Sequence, residues 1–266
     1  RHAGKIVGLA AYGDPSILSD VLLKRFHCGG LEFEIEQNLN YFFDQYLASQ
    51  FTMIDVAAAY QHVLEVVVQD FVEKWIEKTG ASNVVLSGGV TANVKMNQRV
   101  HEAAGVTSIF VYPNMGDGGC GTGLALHASL PNHCGKPLES AYHGPDYSEA
   151  SIEAALRDGD LEFSRPENLA GDVAKLISDG KVVARFDGRM EYGPRALGNR
   201  SILYHARNPE VNLWLNKRLG RTEFMPFAPV TLWEDRHECY HGLNGAEHAA
   251  QFMTITFDCT EWMKSN

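Results

Sequence analysis

The chain has 266 residues, 45% of them hydrophobic, which is enough apolar side chain for one large or two ordinary domains with real cores. Its net charge of −10 argues against general affinity for nucleic acid or an anionic membrane surface, both of them polyanions. Five cysteines, odd in number and without a CxxC pair, argue against a disulfide framework or a four-cysteine zinc site; with no apolar run of bilayer-spanning length, a cytoplasmic protein with reduced thiols is expected.

In chain order, GKIVGLAAYGDP (residues 4–15) opens a first unit. In LEFEIE, Leu31, Phe33 and Ile35 alternate with glutamates as in a half-buried strand. From Ile54 to Trp75 apolar residues recur every three or four positions, through Ala57, Tyr60, Leu64, Val67 and Phe71. That period predicts a long amphipathic helix, with Gly80 placed to end it. NVVLSGGV then runs from an apolar strand into glycines and a helical stretch to Ala104, and SIFVYPNMGDGGCGTGLALHA repeats the order of strand, glycine-rich loop and helix. Two such turns predict α/β structure, with backbone N–H groups facing a shared crevice that suits phosphate.

Turn formers crowd the stretch between Leu130 and Pro166, where a linker is expected. Ile152–Leu156 and Leu169–Ile177 read as helices, KVVARF and SILYHA as strands, VNLWLNKRL as a helix, and QFMTITFD as a last strand with no room for later partners. Trp75, Trp214 and Trp233 sit in apolar spacing and are expected in the core. Cys120 reads as a small buried filler.

Several motifs carry chemistry. SGGV (87–90) is either a tight turn or part of a ligand loop. GDGGCGTG (116–123) sets five glycines around one carboxylate, Asp117. An acid there repels phosphate unless it holds a cation, so Asp117 reads as a metal ligand, a ribose or substrate contact, or a plain helix N-cap. GRMEYGPRALGNRS (188–201) interleaves Arg189, Arg195 and Arg200 with Gly188, Gly193 and Gly198. Residues 181–225 hold nine Lys or Arg against four Asp or Glu, in a chain that is acidic as a whole. Planar guanidiniums donate paired hydrogen bonds to phosphate oxygens, so the loop is read as a small-anion site in preference to a solvated turn. HECYH (237–241) fits the HExxH pattern of zinc peptidases, with Glu261 downstream. Gly242 follows at once, however, and the apolar face of a secure helix is missing, so a surface loop or short helix is the favoured reading.

Together, the two glycine loops and GKIVGLAAYG resemble the C-terminal half of the actin, sugar-kinase and Hsp70-like nucleotide fold, in its Kae1-like branch. The resemblance implies that Lys5 lies near the nucleotide, that Gly88, Gly89, Gly116 and Gly118 pack against it, and that Asp117 binds a divalent metal, iron or magnesium. The other ligands of that metal would be an upstream HxxxH pair, expected to lie before the start of this chain. GRMEYGPRALGNRS and LNKRLGRTEFMPFAP (215–229) resemble the YrdC-like C-terminal domain of the nodulation and antibiotic O-carbamoyltransferases.

What this second resemblance implies is an ATP-dependent enzyme that makes carbamoyl adenylate from carbamoyl phosphate and ATP, with loss of pyrophosphate and phosphate. The carbamoyl group then passes to a hydroxyl of a small-molecule alcohol, such as a sugar or an aminoglycoside. Arg189, Arg195 and Arg200 are expected to hold the anions, assisted by Lys217 and Arg221. The expected fold class is α/β and α+β, with a Kae1-like region at 1–135, a linker at 136–165 and a partial YrdC-like region at 166–266. No nucleic acid or membrane partner is expected. The chain is expected to be a fragment lacking both ends that does not complete transfer alone. Two other readings stay open: a threonylcarbamoyl transferase acting on tRNA, and a module that binds nucleotide without catalysis.

Overall fold

The computed structural model describes residues 3–36, 41–129, 138–205, 210–220 and 226–265. They fall into two compact units, residues 1–117 with 210–266, and residues 118–209. The first unit begins with α1 (Ala3–Ala10), α2 (Ser19–Leu23), β1 (Phe26–Gly29), β2 (Glu32–Ile35), α3 (Tyr41–Gln50), α4 (Met53–Thr79), β3 (Asn83–Leu86), α5 (Val94–Glu102) and β4 (Ser108–Val111). The second carries α6 (Cys120–Ser129), α7 (Glu149–Asp158), α8 (Leu169–Ser178), β5 (Val183–Phe186) and β6 (Arg200–Leu203). The chain then re-enters the first unit with α9 (Val211–Arg218), α10 (Arg236–Cys239), α11 (Glu247–Gln251) and α12 (Glu261–Ser265). The fold is mixed α/β.

The predicted long helix is α4, and its ends are set by local chemistry. Thr52 accepts the N–H of Asp55 at its start, and Gly80, left-handed at φ 69°, closes its end with an N–H donated to Ile76 O. One stretch of α4 packs Ala59 and Val63 against Leu18, Leu22 and Leu47. Further along, Val72 joins Val100, Ile109, Val111 and Met115, together with Ala246, Ala249 and Ile255 from the far end of the chain. Burying each such aliphatic side chain stabilises the fold by roughly 1.5–3 kcal/mol. Strands β3 and β4 pair in parallel from Asn83↔Ser108 to Leu86↔Val111, joined through α5 in the strand–helix–strand order read from the sequence.

Four expectations need correction. LEFEIE does supply β2, paired antiparallel with β1, but all four strand residues are exposed; Phe33 stacks on Phe71 of α4 and still has half its surface open. QFMTITFD is not a strand. Gln251 ends α11, and the following residues bond to helices instead of a ladder: Thr254 N–H donates to Ala249 O, Thr256 N–H to Val94 O, and Thr256 Oγ1 to Gln98 Oε1. The three tryptophans are not core, at 38% (Trp75), 48% (Trp214) and 47% (Trp233) exposed; each carries a cation over its ring, from Lys78, Arg218 and Arg236 respectively. Cys120 is exposed, not a buried filler.

The second unit has a different interior. Among its described residues Gly119, Ala141 and Glu191 are the buried ones, so polar bonding takes much of the part that apolar packing plays elsewhere. Strands β5 and β6 pair antiparallel from Val183↔Leu203 to Phe186↔Arg200. Part of the expected linker is helical: α7 is capped by Ser148, and Arg165 reaches both Glu149 and Glu153 at 2.9 Å. Among the described residues no helix is long and apolar enough to cross a membrane.

Candidate functional site

Two sets of predicted residues lie in different units. In the first, the loops after β3 and β4 leave the same end of the parallel pair, as crevice-forming loops do in α/β folds. They are tied together by the Gly88 N–H, donated to Met115 O at 2.7 Å. Gly88 has φ 110°, which a side chain resists, and a Cβ placed on Gly88, Gly89 or Gly116 would meet nothing within 4 Å. These glycines thus present bare backbone on an open side. Asp117 and Gly118 are exposed at the start of a short turn leading into α6. Lys217 is exposed on α9 in the first unit. Arg221 and the side chain of Lys5, a residue of α1, lie outside what is described.

The second unit holds the arginine loop between β5 and β6. Its chain folds back on itself: Asp187 N–H donates to Asn199 O at 3.0 Å, and Asn199 Nδ2 to Arg189 O at 2.8 Å. Arg200 donates from Nη1 to Asp187 O (2.8 Å) and Asn199 O (2.9 Å), and from Nη2 to Gly188 O (3.1 Å), while its guanidinium lies 3.6 Å from the centre of the Phe186 ring. Arg189 donates from Nε to Gly144 O and from Nη2 to His143 O, at 3.2 and 3.3 Å. Arg195 is half-buried, and that burial pulls its pKa below the ordinary arginine value. Arg189 and Arg200 therefore share one folded loop with Arg195, and both spend donors on backbone carbonyls.

Sequence reasoning missed three neighbours. Glu191 is 9% exposed, and its Oε1 accepts the N–H groups of Leu197, Asn199 and Arg200 at 2.9, 2.8 and 3.0 Å. Burial pushes its carboxyl pKa up, but these donors, Arg200 first, outweigh it and leave the value lowered. Tyr192 joins its hydroxyl to Thr122 Oγ1 of α6 at 2.7 Å. Arg185, on β5 and paired with Asp187, places Nη1 3.6 Å from where a Gly198 Cβ would stand. The burial of Glu191 left no signal in the sequence, since a lone glutamate in a glycine-rich loop reads as surface.

A metal finds no complete ligand set here. Among the described residues no three His, Cys, Asp or Glu side chains are grouped so as to hold one, and a single exposed carboxylate is a poor site. The HECYH pattern fails on geometry: α10 ends at Cys239 and Tyr240 is extended (φ −131°, ψ 143°), so His237 and His241 do not share a helix face.

A family model described as the carbamoyltransferase N-terminus matches residues 1–126, and one described as the carbamoyltransferase C-terminus matches residues 174–266. The chain belongs to the carbamoyltransferase family. It is 34% identical over 257 residues to nodulation protein NolNO of Sinorhizobium fredii, covering 89% of this chain and 37% of that protein. To nodulation protein NolO of Bradyrhizobium diazoefficiens it is 32% identical over 254 residues, 89% of this chain and 46% of that one. Similarity to the uncharacterized protein MJ1058 of Methanocaldococcus jannaschii is 32% over 267 residues, 93% of this chain and 44% of that protein. The chain thus spans less than half the length of these relatives.

Proposed function

We propose that the chain serves an ATP-dependent O-carbamoyltransferase, with a Kae1-like region first and a YrdC-like region second, working in the cytoplasm where ATP is supplied. The observation that carries the reading is the co-occurrence, in family order, of both carbamoyltransferase regions with a folded arginine loop in the second. In balanced form, carbamoyl phosphate and water give carbamate and phosphate. A carbamate oxygen then attacks the α-phosphorus of ATP, expelling pyrophosphate and leaving carbamoyl adenylate. The acceptor hydroxyl oxygen next attacks the carbamoyl carbon, AMP departs, and the hydroxyl proton is lost. Apart from water, every reactant before the last step is an anion.

Guanidiniums held in place before the substrate arrives lower the cost of gathering those anions. Arg195 carries the direct contact in this reading, because a cation already drawn out of water gains most from an anionic partner. Arg189 and Arg200 hold the loop while presenting their remaining edges. The open glycine backbone after β3 and β4 is assigned to nucleotide or adenylate, and the small-molecule alcohol is the acceptor.

The test uses the product of the complete reading frame with ATP, carbamoyl phosphate and a panel of sugar and aminoglycoside alcohols. Pyrophosphate release and a carbamoylated alcohol are expected. Arg195→Ala should weaken carbamoyl phosphate or ATP binding about ten- to a hundredfold, the loss of one charge-assisted bond. Pyrophosphate release independent of carbamoyl phosphate, or unchanged affinity in the variant, overturns the assignment.

A further inference from the structure

Three backbone N–H groups aimed at one point form a nest, which binds phosphate in many proteins. In the arginine loop that point is already taken. Glu191 Oε1 receives the amides of Leu197, Asn199 and Arg200, all within 3.0 Å, and the Gly198 amide between them donates to Ser201 Oγ at 3.0 Å. We infer that Glu191 is the positioning residue of the arginine loop, filling its amide nest so that an anionic substrate is met by guanidinium side chains alone. The inference rests on the proposed function for the identity of that anion.

Geometry supports the assignment at two places. The bond from Leu197 back to Glu191 closes a ring of chain around Arg195, so the direction in which that side chain leaves the loop depends on the closure. Arg200 gives its own amide to Glu191, and this fixes the root of the side chain that reaches Asp187 O, Gly188 O and Asn199 O. A carboxylate held by three amides also stays ionised at neutral pH, in keeping with its lowered pKa. The loop therefore carries an internal anion that orders it before any substrate binds, and the substrate need not order it.

Glu191→Ala and Glu191→Gln, made in the product of the complete reading frame, are compared with the unaltered protein by hydrogen exchange and by titration with carbamoyl phosphate. In the alanine variant, exchange at the Leu197, Asn199 and Arg200 amides should rise at least tenfold, with α7 unchanged, and carbamoyl phosphate affinity should fall at least tenfold. The glutamine variant, which keeps an acceptor of the same shape, should fall between the two and keep the melting temperature of the unaltered protein; a merely structural residue would not give that graded recovery of affinity. Unchanged exchange at the three amides overturns the inference, and so does unchanged affinity alongside a loosened loop. Tighter binding by Glu191→Ala would mean that the nest is itself the substrate's place, and the inference falls. If the unaltered protein binds no carbamoyl phosphate, the proposed function falls and takes the substrate role of Glu191 with it, whereas normal binding by the protein and both variants sinks Glu191 alone.

Discussion

Asn97 is fully buried on α5, and its Nδ2 donates at 2.7 Å to both Thr91 O and Thr254 O. Replacing it with alanine strands two buried carbonyls, each worth about 1–3 kcal/mol when left without a donor. Against that, Asn97 Oδ1 has no hydrogen-bond donor among the described residues, so its removal recovers about one such penalty. Two stranded acceptors less one recovered leave a loss of about 1–3 kcal/mol. For a unit of this size that lowers the melting temperature by roughly 2–12 °C. Urea denaturation followed by tryptophan fluorescence measures it, with Asn97→Asp as a second variant. The aspartate keeps the shape, loses both donors and buries a charge, so it should fare worse than alanine. If Asn97→Ala unfolds at the same urea midpoint as the unaltered chain, the two bonds do not hold the C-terminal segment and the reasoning fails.

Three further outcomes are expected. Gly245 sits at φ 82° with its Cβ direction 2.1 Å from Thr107 O, so Gly245→Ala should cost about 2–4 kcal/mol in thermal melting through strain and overpacking together; a change below about 0.5 kcal/mol would show that the turn simply moves. Arg200→Lys replaces a fork that reaches three carbonyls with a single ammonium and loses the stack on Phe186, so exchange at the Asp187 and Asn199 amides should rise severalfold, and protection kept by lysine would refute the clamp. Because the carboxyl of Glu191 is depressed from its ordinary value of 4.5, its contribution is complete above that value and is lost as pH falls through the lower folded one; protection of the Leu197 amide should therefore fade only as the pH is taken below the ordinary value, and a pH-independent loop would contradict it.

How far these features can be read from sequence depends on the distance between partners. Helix α4 was legible because its apolar period and the Gly80 that ends it are both local. The paired strand–loop–helix turns were legible for the same reason. QFMTITFD misled because its alternation is that of a strand, while its partners Val94, Asn97 and Gln98 lie far away in the chain and offer single hydrogen bonds instead of an edge. In the arginine loop, composition pointed to the three arginines, but which donors face inward is decided only once Glu191 has closed the turn. The tryptophans keep apolar spacing with no layer above them, so spacing overstated their burial.

One consequence of the returning C-terminal segment concerns synthesis. The bond from Asn97 to Thr254 spans 157 positions, and the same cluster needs Ala246, Ala249 and Ile255 beside Val100, Ile109 and Val111. At about 5–20 residues per second, a ribosome takes roughly 8–30 s to deliver the second set after the first. During that interval the parallel strand pair and α5 are made but not covered, and a nascent chain in this state is a client for chaperones that hold apolar surface. Slowing translation within residues 118–209 should lengthen that dependence, whereas slowing it before residue 94 should not.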